Sequence, residues 1–148
     1  MAPEVVMPAV NETIDAEQAP VRVLIVDDQA PFRDAAKAVI SRIAGFVLAG
    51  EATSGEEAVD LVDELQPSLI LMDINMGEMD GLEATRRITA THPDTLVFLV
   101  STYTMDDMPP GAQTCGAAAY LNKDEVTRRV VRNLWDTRGD PAWRSAAS

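Results

Sequence analysis

Three acids, a hydroxyl and an amine punctuate this chain near the ends of apolar runs: Asp27 and Asp28, Asp73, Ser101 and Lys123. The runs before them are 21–26, 69–72, 95–100 and 117–121. Four or more consecutive apolar residues read as a strand buried on both faces, as in parallel sheets. In open α/β sheets the ligand site lies beyond the carboxyl ends of such strands. An Asp in that position also serves as a turn former or helix cap, so Asp73 alone does not decide between a site and a turn. The other strand ends do. Right-handed crossovers bring them to one edge of the sheet, where three carboxylates, a hydroxyl and an ammonium converge.

Such a cluster has definite chemistry. Two carboxylates about 4 Å apart repel by about 4 kcal/mol at an effective dielectric of about 20. Either one stays protonated or a cation joins them. All-oxygen donors suit Mg²⁺ better than zinc, which prefers His and Cys. The single His92 follows a helix and reads as a surface residue. A metal beside a carboxylate, with Lys and Ser aimed at the same place, is the apparatus of phosphoryl transfer. Phosphorylating Asp73 would make an acyl phosphate.

The intervening segments are helices of the kind that would position those ends. Phe32, Ala35, Ala36, Val39, Ile40 and Ile43 follow helical spacing, with Pro31 in the first turn and Gly45 at the end. Residues 46–52 read as a shorter edge strand. Ser54 and Glu57 have capping-box spacing, and the helix they open presents Ala58, Leu61, Val62 and Leu65 until Pro67. Asp80 and Glu83 start a third helix through Leu82, Thr85 and Ile88, ending near His92-Pro93. The fourth helix should fall within 105–116, but Pro109-Pro110-Gly111 interrupts it. Proline costs about 3 kcal/mol in a helix interior, so this helix is expected to be short or irregular. A last helix is expected over about 124–136. The alternation calls for a parallel sheet with helices on both faces.

Composition bounds the rest. The 148 residues suffice for one domain, and a net charge of −12 disfavours nonspecific attraction to nucleic acid or anionic membrane. One cysteine, Cys115, excludes an intrachain disulfide and a CxxC motif, and reads as a packing residue. No apolar run reaches the length of a membrane span, and the first 21 residues have neither Lys nor Arg. A cytoplasmic protein without membrane insertion is expected. Residues 1–19 read as a disordered acidic tail, 20–138 as the folded domain, and 139–148 as a C-terminal tail. Trp143 there is either a docking residue or an exposed tail side chain.

With these residues in order, the chain resembles the receiver domain of two-component response regulators from about Val21 to Trp135. The carriers are Asp27-Asp28, Asp73 with Met79-Asp80-Gly81, Ser101, Gly116-Ala117, Tyr120 and Lys123. The resemblance implies a flavodoxin-like (βα)5 three-layer sandwich whose parallel five-stranded sheet has the order 2-1-3-4-5. It implies that Asp73 accepts the phosphoryl group of a histidine kinase's phosphohistidine, or that of a phosphotransfer protein. Mg²⁺ would be held by Asp28 directly, by Asp27 mainly through water, by Asp73 and by the backbone carbonyl of Asn75. Lys123 would serve the transfer, Ser101 would swing toward the phosphoryl group, and Tyr120 would rotate behind it. That shift would signal to a downstream protein through the face made by the fourth helix, fifth strand and last helix. A phosphorylation-dependent dimer is left open. Four departures stand out: Gly77 where the family usually has Pro, Thr102 at a usually small position, Tyr103 beside the site, and Pro109-Pro110-Gly111 on the output surface. Thr102 and Tyr103 would govern access to Asp73.

Two other functions compete. The chain could be the receiver of a DNA-binding regulator whose effector domain is absent, although 25 residues after Lys123 leave no room for a helix-turn-helix. A metal-dependent phosphatase would need an Asp-x-Asp nucleophile motif after the first strand, where Asp27-Asp28-Gln29 stands. The expectation is a phosphoacceptor switch, not an enzyme acting on other substrates.

Overall fold

The computed structural model describes residues 19–76, 80–102 and 108–143. The expectations placed on residues 1–18, on Gly77 and Met79, on Tyr103 and on residues 144–148 lie outside the described residues. The elements alternate as β1 (Val21–Val26), α1 (Ala30–Ser41), β2 (Phe46–Ala52), α2 (Gly55–Leu65), β3 (Leu69–Asp73), α3 (Gly81–Thr91), β4 (Leu96–Ser101), β5 (Ala119–Asn122) and α4 (Arg128–Asp136). All strand pairs are parallel, and the sheet order is β2-β1-β3-β4-β5. This is the expected flavodoxin-like fold.

Right-handed crossovers then assign the faces. The step from β1 to β2 runs one way across the sheet, and the steps from β2 to β3, β4 and β5 run the other. α1 therefore lies on one face, and α2 and α3 lie on the other. The two cores agree with that division. Ala36 and Ile40 of α1 join Val131 of α4 against Val23, Ile25, Leu71 and Phe98. Ala58 and Val62 of α2 and Leu82 and Ile88 of α3 pack against Leu24, Ile70, Met72 and Leu99.

Local chemistry explains the helix starts. Ser54 and Asp80 accept hydrogen bonds from the Glu57 and Glu83 backbone N–H groups at 3.1 and 2.9 Å, so both expected caps form. The last helix differs from expectation. Residues 123–125 form a separate 3-10 turn, because Asn122 and Glu125 complete a capping box of their own. Thr127 then caps α4, whose first helical residue is Arg128, four residues later than the sequence pattern suggested.

Among the described residues the fourth crossover is irregular, as its prolines require. Its described part holds only a 3-10 turn at Ala112–Thr114, entered through Gly111 at φ 88°. Residues 139–143, expected as tail, are part of the packed structure. Arg138 and Gly139 turn the chain at φ 58° and 111°, the Asp140 N–H donates to the Ala118 carbonyl at 3.0 Å, and Trp143 is only 3 % exposed. The large indole gains more from burial than from a place in solvent. Among the described residues no helix is long and apolar enough to cross a membrane.

Candidate functional site

Strand register assembles the site. Val26 pairs with Met72, so the residues after β1 stand beside Asp73 at the end of β3. Asp73 pairs with Val100, which puts Ser101 one residue further along the neighbouring strand, and Ser101 pairs with Asn122, the residue before Lys123. Asp27, Asp28, Asp73, Ser101 and Lys123 therefore share the carboxyl edge of the sheet. Asp27 is fully buried, Asp73 is 6 % exposed and Ser101 is buried. Asp28 and Asn75 are exposed, as is Thr102 at the end of β4.

Charge is arranged unevenly within this edge. Lys123 Nζ lies 2.8 Å from Asp27 Oδ2, off the angle of a hydrogen bond, so the contact is one of charge. Asp27 Oδ1 accepts from the Gln29 N–H at 2.8 Å. Among the described residues, Asp73 Oδ1 accepts only a long hydrogen bond from the Asn75 N–H, 3.4 Å. Burial above all, and then the Asp27 charge, push the Asp73 carboxyl up to about 7, against the pull of Lys123 and of the Asn75 N–H. Asp73 is thus a buried acid with no ion pair of its own among the described residues.

The donor set fits a hard divalent ion. Asp27, Asp28 and Asp73 each offer a carboxylate oxygen, all within 4.8 Å of one another. Oxygen donors of that kind, one of them open to water at Asp28, suit Mg²⁺. With a single ammonium facing three acids, a cation is also what the charge balance calls for.

Several supporting residues escape a motif reading. The Phe32 ring lies under Lys123, with Nζ 4.7 Å from its centroid, and the cation–π contact steers the amine while its stem stays covered. Arg33 donates to the Asp27 carbonyl at 2.8 Å and to Glu51 at 3.0 Å, tying the end of β1 to β2. The Asn122 N–H donates to Glu125 Oε1 at 2.9 Å, fixing the turn that carries Lys123. The Asn-x-x-Glu spacing of 122 and 125 was a legible signal for that turn. The Phe32 and Arg33 roles carry none, since both depend on which helix side meets the sheet edge. Gly81 is required by close approach: its N–H donates to the Ile74 carbonyl at 2.8 Å, and a Cβ there would overlap the Asp73 carbonyl.

Tyr120 and Ser101 share a side-chain hydrogen bond, and burial pushes the Tyr120 phenol up. Cys115 is buried and hydrogen-bonds the Ala112 carbonyl at 3.2 Å, with burial pushing its thiol up as well. It is a packing residue.

An acidic triad and a lysine at the carboxyl edge of a 2-1-3-4-5 sheet define a receiver-type signalling domain. The chain belongs to that family: the response regulator receiver domain model matches residues 23–134. The chain is 43 % identical over 113 residues to the transcriptional regulatory protein YdfI of Bacillus subtilis, covering 76 % of this chain and 53 % of that protein. It is 40 % identical over 113 residues to the chemotaxis protein CheY of Thermotoga maritima, covering 76 % and 93 %. The response regulator domain of Thermotoga maritima CheB superposes with a TM-score of 0.68 at 32 % identity, covering 86 % and 96 %. The chain spans about half the length of most of the curated relatives it matches.

Proposed function

We propose that this domain is a phosphorylation switch that accepts a phosphoryl group on Asp73 from the phosphohistidine of a sensor kinase or phosphotransfer protein. The observation that carries the reading is the buried Asp73 carboxyl, unpaired beside an Asp27–Lys123 ion pair. An Asp73 oxygen attacks phosphorus, the P–N bond breaks, and its electron pair returns to the imidazole nitrogen as the Asp73 acyl phosphate forms. Asp27, Asp28 and Asp73 would hold Mg²⁺, with the Asn75 backbone carbonyl as a further ligand. When bound, the ion supplies positive charge for the phosphoryl oxygens and keeps Asp73 ionised.

The chain's own residues do the rest. Lys123 is held by Phe32 and by the Asn122–Glu125 turn, and it places its ammonium against charge that develops on a phosphoryl oxygen. The Ser101 hydroxyl has one proton to donate, and an acceptor on Asp73 would claim it. Ser101 then carries Tyr120 with it through their shared hydrogen bond. Thr102, exposed at the end of β4, would limit access to the acyl phosphate.

The output is a protein contact through the side of the domain bearing Tyr120 and α4, in the cytoplasm, with no direct nucleic-acid binding by this domain. A phosphorylation-dependent dimer would use the same face. A second reading is favoured by the transcriptional regulators of which this chain covers about half: the domain would then control an attached DNA-binding part. The mass of the chain as made in cells separates the two. For the phosphoacceptor itself, the purified chain is incubated with acetyl phosphate and Mg²⁺ and weighed intact. A single phosphoryl adduct is expected, lost with EDTA and in Asp73→Asn. No adduct on the wild type, or one that persists in the variant, contradicts the proposal.

A further inference from the structure

The last described residues do something that a receiver site does not call for. After α4 the chain reverses at Arg138-Gly139, crosses the β5 edge, and hydrogen-bonds the Ala118 carbonyl through the Asp140 N–H at 3.0 Å. Asp140 Oδ1 then accepts from the Ala142 N–H at 3.0 Å, closing a short turn that presents Trp143. α4 belongs to the α1 side of the sheet, yet Trp143 lies in the core cluster of the opposite side. There it joins Ala112 and Cys115, with Met108 packed alongside, next to the described part of the proline-broken fourth crossover, which holds a 3-10 turn.

Two contacts make this more than core filling. The indole is stacked on Tyr120, with centroids 5.9 Å apart and planes at 23°, and Tyr120 hydrogen-bonds Ser101 beside Asp73. The indole Nε1 is buried and has no hydrogen-bond partner among the described residues. A donor buried without an acceptor penalises the docked arrangement, and water would satisfy it on release. The stack with Tyr120 is part of what offsets that penalty.

We propose that the β5 face around Tyr120 is a docking site for a short aromatic peptide segment, that residues 140–143 of this chain occupy it, and that phosphorylation of Asp73 releases them. This rests on the Asp73 reading above. Ser101, drawn toward a phosphoryl oxygen, takes Tyr120 out of the stack. Trp143 then leaves, and the vacated aromatic cleft becomes available to a partner carrying a similar residue.

The test uses the full chain with Trp135→Phe, leaving Trp143 as the sole indole. Acrylamide quenching of its fluorescence is measured with Mg²⁺ alone and with Mg²⁺ plus beryllofluoride, which caps a carboxylate as a phosphoryl group does. Fluorine NMR reports whether the adduct has formed. Quenching should be weak at first, rise about threefold with the adduct as the segment opens, and stay weak in Trp135→Phe with Asp73→Asn. If Trp135→Phe does not unfold cooperatively, the native chain is used instead: tryptic cleavage after Arg138, slow while Gly139 is buried, should accelerate with the adduct. An adduct that leaves both readouts unchanged or lowered overturns this inference and spares the Asp73 reading. Quenching already strong with Mg²⁺ alone also overturns it. No adduct at all overturns both.

Discussion

The carboxyl edge of the sheet and the β5 flank are built by opposite strategies. At the carboxyl edge every chemical side chain stands within two residues of a strand end, so sheet register alone brings Asp27, Asp73, Ser101 and Lys123 together. The helices add support there, through Phe32 under Lys123, Arg33 on the Asp27 carbonyl and Gly81 against the end of β3, but the placement itself comes from the strands. At the β5 flank, the described residues after Pro109-Pro110 make a 3-10 turn and no helix, and a tryptophan more than 30 positions later packs in the same core cluster. The first region is rigid by pairing. The second is closed by one stacked side chain with an orphaned N–H, and closure of that kind can be reversed. In the function proposed above, chemistry and output fall to these different kinds of structure, joined at the Ser101–Tyr120 hydrogen bond.

Perturbing each region separately should keep the two apart. The largest effect is expected for Lys123→Ala, which removes the ammonium from the proposed phosphoryl site. Phosphorylation by acetyl phosphate should slow by about 100-fold or more, measured by intact mass over time, while the tryptic lability after Arg138 stays as in the wild type. At the other flank, Trp143→Ala should lower the urea unfolding free energy by about 3 kcal/mol. Its rate of phosphorylation should change little. A large loss of phosphorylation in Trp143→Ala would erase the distinction between the regions.

A smaller effect sharpens the electrostatics of the carboxyl edge. Asp73 keeps its proton in the folded, metal-free state up to about pH 7, whereas the unfolded chain loses it near pH 4. The folded state therefore binds the extra proton between those values, and stability falls as pH rises from about 4 to 7, levelling above. Asp73→Asn should remove this slope and stabilise the metal-free protein at pH 8 by roughly 2–4 kcal/mol relative to wild type. Urea titrations in EDTA at pH 5 and pH 8 check it, and equal pH slopes for the two proteins would show that Asp73 is not strained. The smallest effect is at a surface pair common to neither region. Glu83 bridges Arg86 and Arg87 at 3.3 and 2.9 Å with all three side chains well exposed. Glu83→Ala should move the urea midpoint by less than the equivalent of about 1 kcal/mol.

The same contrast governs what could be read from the sequence. β1, β2 and the Ser54 cap follow from local pattern, because an apolar run and a capping residue act over a few positions. The acidic cluster was legible for the same reason, since right-handed crossovers place strand ends without any knowledge of side-chain packing. Lys123 was legible, but its turn was absorbed into the last helix. Val126, Val130, Val131 and Leu134 do suit one helix face, yet Asn122 and Thr127 each capture backbone N–H groups and split the segment. Trp143 was the hardest. Arg138-Gly139 and Pro141 mark a turn, but where the turn leads is set by packing against Tyr120, Ala112 and Cys115, which lie far away in the sequence. A tail residue has no local pattern that reports a distant packing partner.

The central claim is that one carboxyl, Asp73, takes the phosphoryl group. Borohydride trapping tests it at the level of the atom, because an acyl phosphate is reduced to an alcohol while a free carboxylate is not. The chain is treated with acetyl phosphate and Mg²⁺, reduced, digested and sequenced by mass. Homoserine in place of aspartate at position 73, and at neither Asp27 nor Asp28, is the predicted result. Reduction at Asp27 or Asp28, or no reduction anywhere on a chain that carries the adduct, would contradict it.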